Sequence, residues 1–336
     1  MKKVILHCRL SPGDVLMLTA AVAALHAQYP GRYKTDVRTP CPALWENNPF
    51  ITALEDDDPK MRHIVCHYPL VHDSNKLPYH FIHGFMRHLA GKLRIQLEPT
   101  AFRGDIHLSP KERSLTPQVQ LLTGQKQPYW IICAGGKYDY TIKWWHRRRW
   151  QQVVDAFADR ILFVQIGENG HYHPPLKNVL DLRGRTTLRE LILLAHHSDG
   201  VLCPVTFLMH LAAAVPRPAG VGGLLPCVVV AGGREPSHWE SYPGHQYLHT
   251  IGALPCCAAG GCWRSRTVPL NDGALHDDPA HLCLRPTPAG LPECMEMIKA
   301  SHVIDAIQGY CHSGKEWPGF EVRPAVMSKT LTSNRN

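Results

Sequence analysis

A short apolar strand that runs straight into a turn and a helix occurs twice in this chain, and that repetition limits the fold more than any other feature. The first copy is VILHCRLSPGD, followed by a helix from Asp14 whose Val15, Leu18, Val22 and Leu25 recur every three or four residues. The second is YWIICAGG, from Tyr129, followed by a helix around Trp150, Val153, Val154 and Phe157. Further strands are expected at 33–39 and 63–67, with a helix over 79–95, and later at ILFVQIG, 200–203 and CVVVAGG. Between these lie a helix over 188–195, opened by a Thr187–Glu190 capping box, and the helix FLMHLAAAV, stopped by Pro216. Such alternation specifies parallel sheets covered by helices on both faces. A chain of 336 residues exceeds one ordinary core. The expectation is therefore an α/β protein of two doubly wound domains facing a cleft, residues 1–125 and 126–310, divided at the polar stretch TGQKQP.

Composition sharpens this. An apolar share of 44% against 19% charged residues supports a folded chain. The end is the exception: PGFEVRPAVMSKTLTSNRN has few large apolar residues and no helical period, so 311–336 reads as a tail beyond a final helix over 293–310. Two lysines precede the first strand, yet only Val4, Ile5 and Leu6 are contiguous before His7 and Arg9, too few for a secretory leader. VGGLLPCVVVAGG is too short to span a membrane and is broken by Pro226. A cytoplasmic protein without transmembrane segments is expected, and there twelve cysteines are thiols or metal ligands. The net charge of +8 is spread out, with one cluster from Lys143 to Arg149, which suits a phosphate-bearing ligand and not nucleic acid.

Asp14 stands where the first strand turns into the first helix, the edge at which open α/β sheets bind ligands. A carboxylate there either caps the helix or takes a proton from an attacking hydroxyl. In the second opening, Gly135 and Gly136 let the backbone approach a phosphate, and Lys137 and Lys143 supply charge. Thr206 and His210 sit at and just inside a helix start that follows a strand, where free amides suit a diphosphate. Glu168, ending a strand, is either a ribose or base contact or an exposed loop acid.

Together these pieces resemble the heptosyltransferases of glycosyltransferase family nine, through SPGDVLMLTAAVAAL, KWW, VQIGE, DLRGRTTLRELILLAHHSDG and MHLAAAVP, over most of residues 1–310. The resemblance implies the GT-B fold, two Rossmann-like domains facing a cleft. It also implies an inverting transfer from ADP-heptose or a related nucleotide sugar to a hydroxyl of a protein or glycan. By the same resemblance Asp14 is the base, and Gly13, Lys143, Glu168, Thr206, Phe207, Met209 and His210 bind the nucleotide sugar. Val205 stands where many family members have an aspartate. No catalytic metal is expected, since Lys143 and the helix end stabilise the leaving diphosphate.

From Pro255 to Cys294 the regular pattern fails, and Cys256, Cys257, Cys262, Cys283 and Cys294 are crowded into this stretch. Close thiols separated by a loop from further thiols suit a tetrahedral metal whose binding replaces a missing core. The stretch resembles the four-cysteine iron finger of bacterial autotransporter heptosyltransferases, which form rings, and so implies a structural metal and a homo-oligomer. Cys257, Cys262, Cys283 and Cys294 are the favoured ligands. Spacing does not separate Cys256 from Cys257, and iron and zinc both accept four thiolates. The competing classes are a GT-B nucleotide-sugar epimerase, which needs no acceptor, and a non-catalytic nucleotide-sugar-binding assembly protein.

Overall fold

The computed structural model describes residues 1–56 and 58–312; the expected tail lies almost wholly outside them. Two parallel sheets organise the chain. In the first, β1 (Lys2–His7) lies between β2 (Tyr33–Arg38) and β3 (Arg62–Val65). The second has the order β6-β5-β4-β7-β8-β9, built from β4 (Tyr129–Ile132), β5 (Leu162–Gln165), β6 (Val179–Asp181), β7 (Gly200–Pro204), β8 (Cys227–Gly232) and β9 (Gln246–His249). This order reverses between β4 and β7, the arrangement of a dinucleotide-binding sheet. Central β4, β7 and β8 are buried along their whole length, as continuous apolar runs require.

The helices are α1 (Pro12–Gln28), α2 (Ile82–Leu93), α3 (Pro110–Arg113), α4 (Gln118–Thr123), α5 (Arg147–Ala156), α6 (Leu188–His197), α7 (Phe207–Ala214), α8 (Ser237–Glu240), α9 (Glu293–Glu296) and α10 (Ala300–His312). Helix α1 is apolar nearly all round, with Val15 to Val22 and then Ala24 and Leu25 all buried, so it must be covered on every side. Helix α7 supplies part of that cover, and one core runs through α1, α2, α6 and α7 and joins the two sheets. A second core, on the other face of the larger sheet, is closed by α5 and α10.

The first sheet holds the three expected strands among the described residues, and the chain after β3 is spent on α2, α3, α4 and loops. The structure differs from expectation in two places. The single final helix over 293–310 is broken into α9 and α10. At the break, the Arg149 guanidinium takes the carbonyls of Glu296 (2.8 Å) and Ile298 (2.6 Å), and the Trp145 indole also donates to Ile298 (2.9 Å), which withdraws acceptors from the helical ladder. Strands β6 and β9 were not expected, being short, half-exposed edge strands without an apolar run.

The halves are clamped by Arg189 of α6. It makes a forked pair with Glu112 of α3 (2.6 and 2.8 Å) and donates to the carbonyls of Ala43 (3.1 Å) and His107 (2.8 Å). This guanidinium holds the Glu112 carboxyl down at about 2, from 4.5. Arg189→Ala is expected to cost about 2 kcal/mol of stability, the range of charged hydrogen bonds, in urea unfolding at neutral pH. Because the Glu112 value is depressed, the contribution is full above 4.5 and fades as pH falls toward 2. The wild-type and variant curves should therefore converge in acid.

Candidate active site

In each sheet the strand order reverses beside the first strand, and segments leaving the carboxyl ends at such points take ligands. Two of these segments meet. A Cβ built on Gly13, in the first turn of α1, would stand 3.3 Å from Cδ2 of His210 and 3.8 Å from Cα of Phe207, in the first turn of α7. Only glycine permits so close a seam without moving His210.

Asp14 faces this seam. Its carboxylate accepts from the Ser11 N–H at 3.0 Å, so it caps α1, and it also takes the Tyr68 hydroxyl. Burial outweighs these bonds and the nearby Lys137 and Lys143, and pushes the Asp14 carboxyl from 3.8 up to about 6. Lys137 Nζ donates to Ser11 Oγ at 3.0 Å. Lys143 Nζ donates to the Val205 carbonyl at 3.3 Å and pairs with Glu235 Oε1 at 2.7 Å, which fixes it beside the start of α7. Thr206 is the extended N-cap of α7, and its hydroxyl makes no capping bond.

Below them His210 is buried, and its Nδ1 lies 2.6 Å from the Tyr242 hydroxyl. The same hydroxyl lies 3.2 Å from Met17 Sδ. Burial, then His80 and Lys143, depress the His210 pKa far below its ordinary value, so the ring is neutral. Met209 points into the core, fully buried. Glu168 is not drawn into the seam. Its side chain is 72% exposed and lies 3.5 Å from His171.

Three charged residues of the seam were not singled out in the sequence: Arg234, Glu235 and Glu240. Glu235 is buried between Arg234 and Lys143, and although burial opposes ionisation, the two cations hold its carboxyl below the ordinary value. Glu240 has no such cation to itself; burial, then Glu235, push it up to about 8. The signal was the charged run GREPSHWE directly after a wholly buried strand, at the carboxyl edge of the sheet.

The cysteine stretch folds as loops and short turns, braced by the buried Arg266, which reaches Asp272 (2.7 and 2.8 Å) and Asp277 (2.6 Å). Cys256, Cys257, Cys262, Cys283 and Cys294 all line one cavity of about 10 Å³. A Cβ on Gly233 would stand 3.0 Å from Cys257 Sγ, so the backbone itself closes that cavity. The Arg285 N–H donates to Cys283 Sγ at 3.4 Å, and the amides of Arg264 and Gly233 serve Cys262 and Cys294. The thiols are gathered but not set as ligands: among the described residues no three His, Cys, Asp or Glu side chains form a group that holds a metal ion. The expected metal-bound finger is therefore not shown. No helix of the described residues is long and apolar enough to cross a membrane.

The sequence model of glycosyltransferase family 9 (heptosyltransferase) matches residues 58–220. The match spans just under half of the chain. The resemblance read from the sequence is thereby supported, and with it a glycosyltransferase enzyme. No curated protein sequence matches the chain significantly. Among solved structures, a family 9 glycosyl transferase from Veillonella parvula superposes with a TM-score of 0.62 at 12% identity, over 92% of this chain and 97% of the other. ADP-heptose lipopolysaccharide heptosyltransferase II of E. coli gives 0.56 at 14%, over 92% and 98%. The iron-containing dodecameric glycosyltransferase TibC of enterotoxigenic E. coli gives 0.58 at 17%, over 92% of this chain and 76% of that one. At these identities the likeness is one of fold, and the α/β architecture with parallel sheets matches these GT-B heptosyltransferase structures.

Within the family 9 segment, the Lys143 ammonium depends on a partner outside it, Glu235. Glu235→Gln leaves Arg234 and Lys143 without their shared buried anion and is expected to cost about 3 kcal/mol or more, measured by chemical unfolding. An unchanged unfolding midpoint would show that the pair is not structural.

Proposed function

We propose that this chain is an inverting heptosyltransferase that moves a heptose from ADP-heptose, or a related nucleotide sugar, to a hydroxyl of a protein or glycan acceptor. One observation carries the reading: Asp14, buried and with its carboxyl pushed up to about 6, lies within electrostatic reach of Lys143 and follows Gly13, which packs against the start of α7. Residues 1–125 are read as the acceptor side and 126–310 as the donor side. A solved structure of TibC is described in complex with ADP-D-beta-D-heptose, and its fold is the one found here.

The chemistry follows from these groups. The Asp14 carboxylate takes the acceptor hydroxyl's proton, and the oxygen bonds to the anomeric carbon on the face opposite the diphosphate. The bond from that carbon to the diphosphate oxygen breaks, and its electron pair leaves with the nucleotide. Lys143, the uncommitted Thr206 hydroxyl and the free amides of α7 carry the charge that grows there. Gly13 and Phe207 shape the seam, His210 lines it as a neutral ring, and Met209 supports it from the core. Glu168, at the exposed rim, is read as the ribose contact.

The expected metal is iron or zinc, held by Cys262, Cys283, Cys294 and one of the adjacent pair. The Cys257 thiol already donates to the Thr250 carbonyl at 3.4 Å, whereas Cys256 faces Cys283, which favours Cys256. What supports this reading is that five thiols line one small cavity and backbone amides point at three of the sulfurs, although the thiols do not stand as a ligand set. Burial pushes Cys262 up to about 11 and Cys294 up to about 12. They are neutral until a cation makes thiolates of them. The bound ion would cross-link the finger. The exposed Leu275 and Leu284 there favour self-association, and free thiols throughout the described chain favour the cytoplasm.

Release of ADP from ADP-heptose, followed with and without candidate acceptors, tests the activity. Asp14→Asn should lower kcat by about 100-fold or more without lowering the melting temperature. A base must be ionised, so wild-type kcat/KM should fall as pH drops below about 6. Full turnover by Asp14→Asn, or a rate independent of pH there, would remove Asp14 from this role. For the finger, elemental analysis of anaerobically purified protein should find one metal per chain, lost in Cys262→Ser. A metal-free wild type sinks that assignment.

A further inference from the structure

Of the two buried glutamates at the seam, Glu235 is matched by cations and Glu240 is not. Lys143 and Arg234 both spend their charge on Glu235 Oε1. Glu240, at the end of α8, is nine-tenths buried, and its Oε2 has no hydrogen-bond partner. Its nearest polar neighbour is His210 Nε2 at 3.4 Å, too far for a good bond. His210 Nε2 in turn lies against the seam, 3.8 Å from the Cβ position of Gly13, and Glu240 lies within electrostatic reach of Asp14 and Lys143. A buried acceptor beside a substrate cleft, offered no donor by the protein, is suited to a donor on the substrate.

We propose that Glu240 is a specificity-determining residue of the donor site, one that receives a hydroxyl of the transferred sugar. Among the parts of a nucleotide sugar, the diphosphate is an acceptor and is repelled by carboxylates, and it is already provided for by Lys143 and the start of α7. A polyhydroxyl ring, by contrast, offers donors and acceptors together. Burial keeps Glu240 as the neutral acid near pH 7, so it accepts through one oxygen and gives its proton through the other. A second oxygen of the sugar takes that proton. Glu240 thus complements a hydroxylated sugar without setting a second negative charge beside the leaving group.

This inference rests on the donor-site reading above, and its test separates the two. Calorimetric titration of ADP and of ADP-heptose into the full chain compares binding without and with the sugar. Glu240→Leu, apolar and of similar volume, should weaken ADP-heptose by about tenfold, the worth of one hydrogen bond to a buried group, and leave ADP unchanged. Glu240→Gln, which keeps an acceptor and a donor without charge, should retain most of the wild-type affinity for both. If Glu240→Leu does not fold, wild-type titrations with ADP-heptose analogues lacking single hydroxyls, repeated on Glu240→Gln, carry the test. One deoxy position should then lose affinity in the wild type and have its loss altered in the variant. Equal effects on ADP and ADP-heptose, or no effect on either, overturn the role of Glu240 alone. Wild-type protein that binds neither nucleotide overturns the donor-site reading and this inference with it.

Discussion

The seam between α1 and α7 is the constraint on which the site depends. Helix α1 has no polar face to give to water, so its burial requires apolar cover from the first sheet on one side and from α7 on the other. That demand brings two strand-to-helix turns, far apart in sequence, within van der Waals contact at Gly13 and His210. Bonds across the halves reinforce the arrangement, among them Phe81 N–H to the Trp239 carbonyl (2.9 Å) and the forked Arg189–Glu112 pair. The cleft is therefore a by-product of covering one apolar helix, and its chemistry is set by whatever the two turns carry.

What they carry is a set of carboxyls whose proton states diverge because cations are shared out unequally. Glu235 has two cations in contact and stays ionised. Asp14 has lysines at a distance and a capping amide, and lies near 6. Glu240 has Lys143 and Arg234 only at a distance and the charged Glu235 as a neighbour, and lies near 8. Burial acts on all three in the same direction, so contact with Lys143 and Arg234 decides the order. One anion anchors a cation, one carboxyl titrates near neutrality and one stays an acid, which is how a crowded low-dielectric site supports different roles with one residue type.

The parts legible in the sequence were those where local pattern and tertiary demand agree. The strands around VILH and CVVVAG, and the Thr187 capping box (Glu190 N–H to Thr187 Oγ1, 3.2 Å), are dictated within a few residues. Edge strands β6 and β9 carry no apolar run and exist because a neighbour offers a free edge. The break between α9 and α10 is written by Arg149 and Trp145, about 150 residues earlier, which no local window contains. The site divides in the same way. Gly13, Asp14, Lys143, Thr206 and His210 are marked by their position at strand ends. Glu235 and Glu240 read as loop charges, and their importance comes from burial alone.

The cysteine stretch and the seam are mechanically one unit. Cys262 N–H bonds to the Gly233 carbonyl (3.1 Å) and Trp263 N–H to that of Arg234 (3.0 Å), while Arg234 Nε donates to the Arg264 carbonyl (2.6 Å). The same loop holds the segment before Lys143: Ile142 N–H reaches the Ser265 carbonyl (3.2 Å), Thr267 N–H reaches Thr141 Oγ1 (2.9 Å), and Arg266 Nε reaches the Tyr138 carbonyl (3.2 Å). The Arg234 guanidinium and the Lys143 ammonium both lie over the Tyr140 ring, at 4.9 and 5.5 Å. The loop thus grips both segments whose ends carry the Lys143–Glu235 pair. A loop with little apolar core of its own holds this shape through polar bonds and clustered thiols. Whatever stiffens the thiol cluster therefore also fixes where the ammonium points.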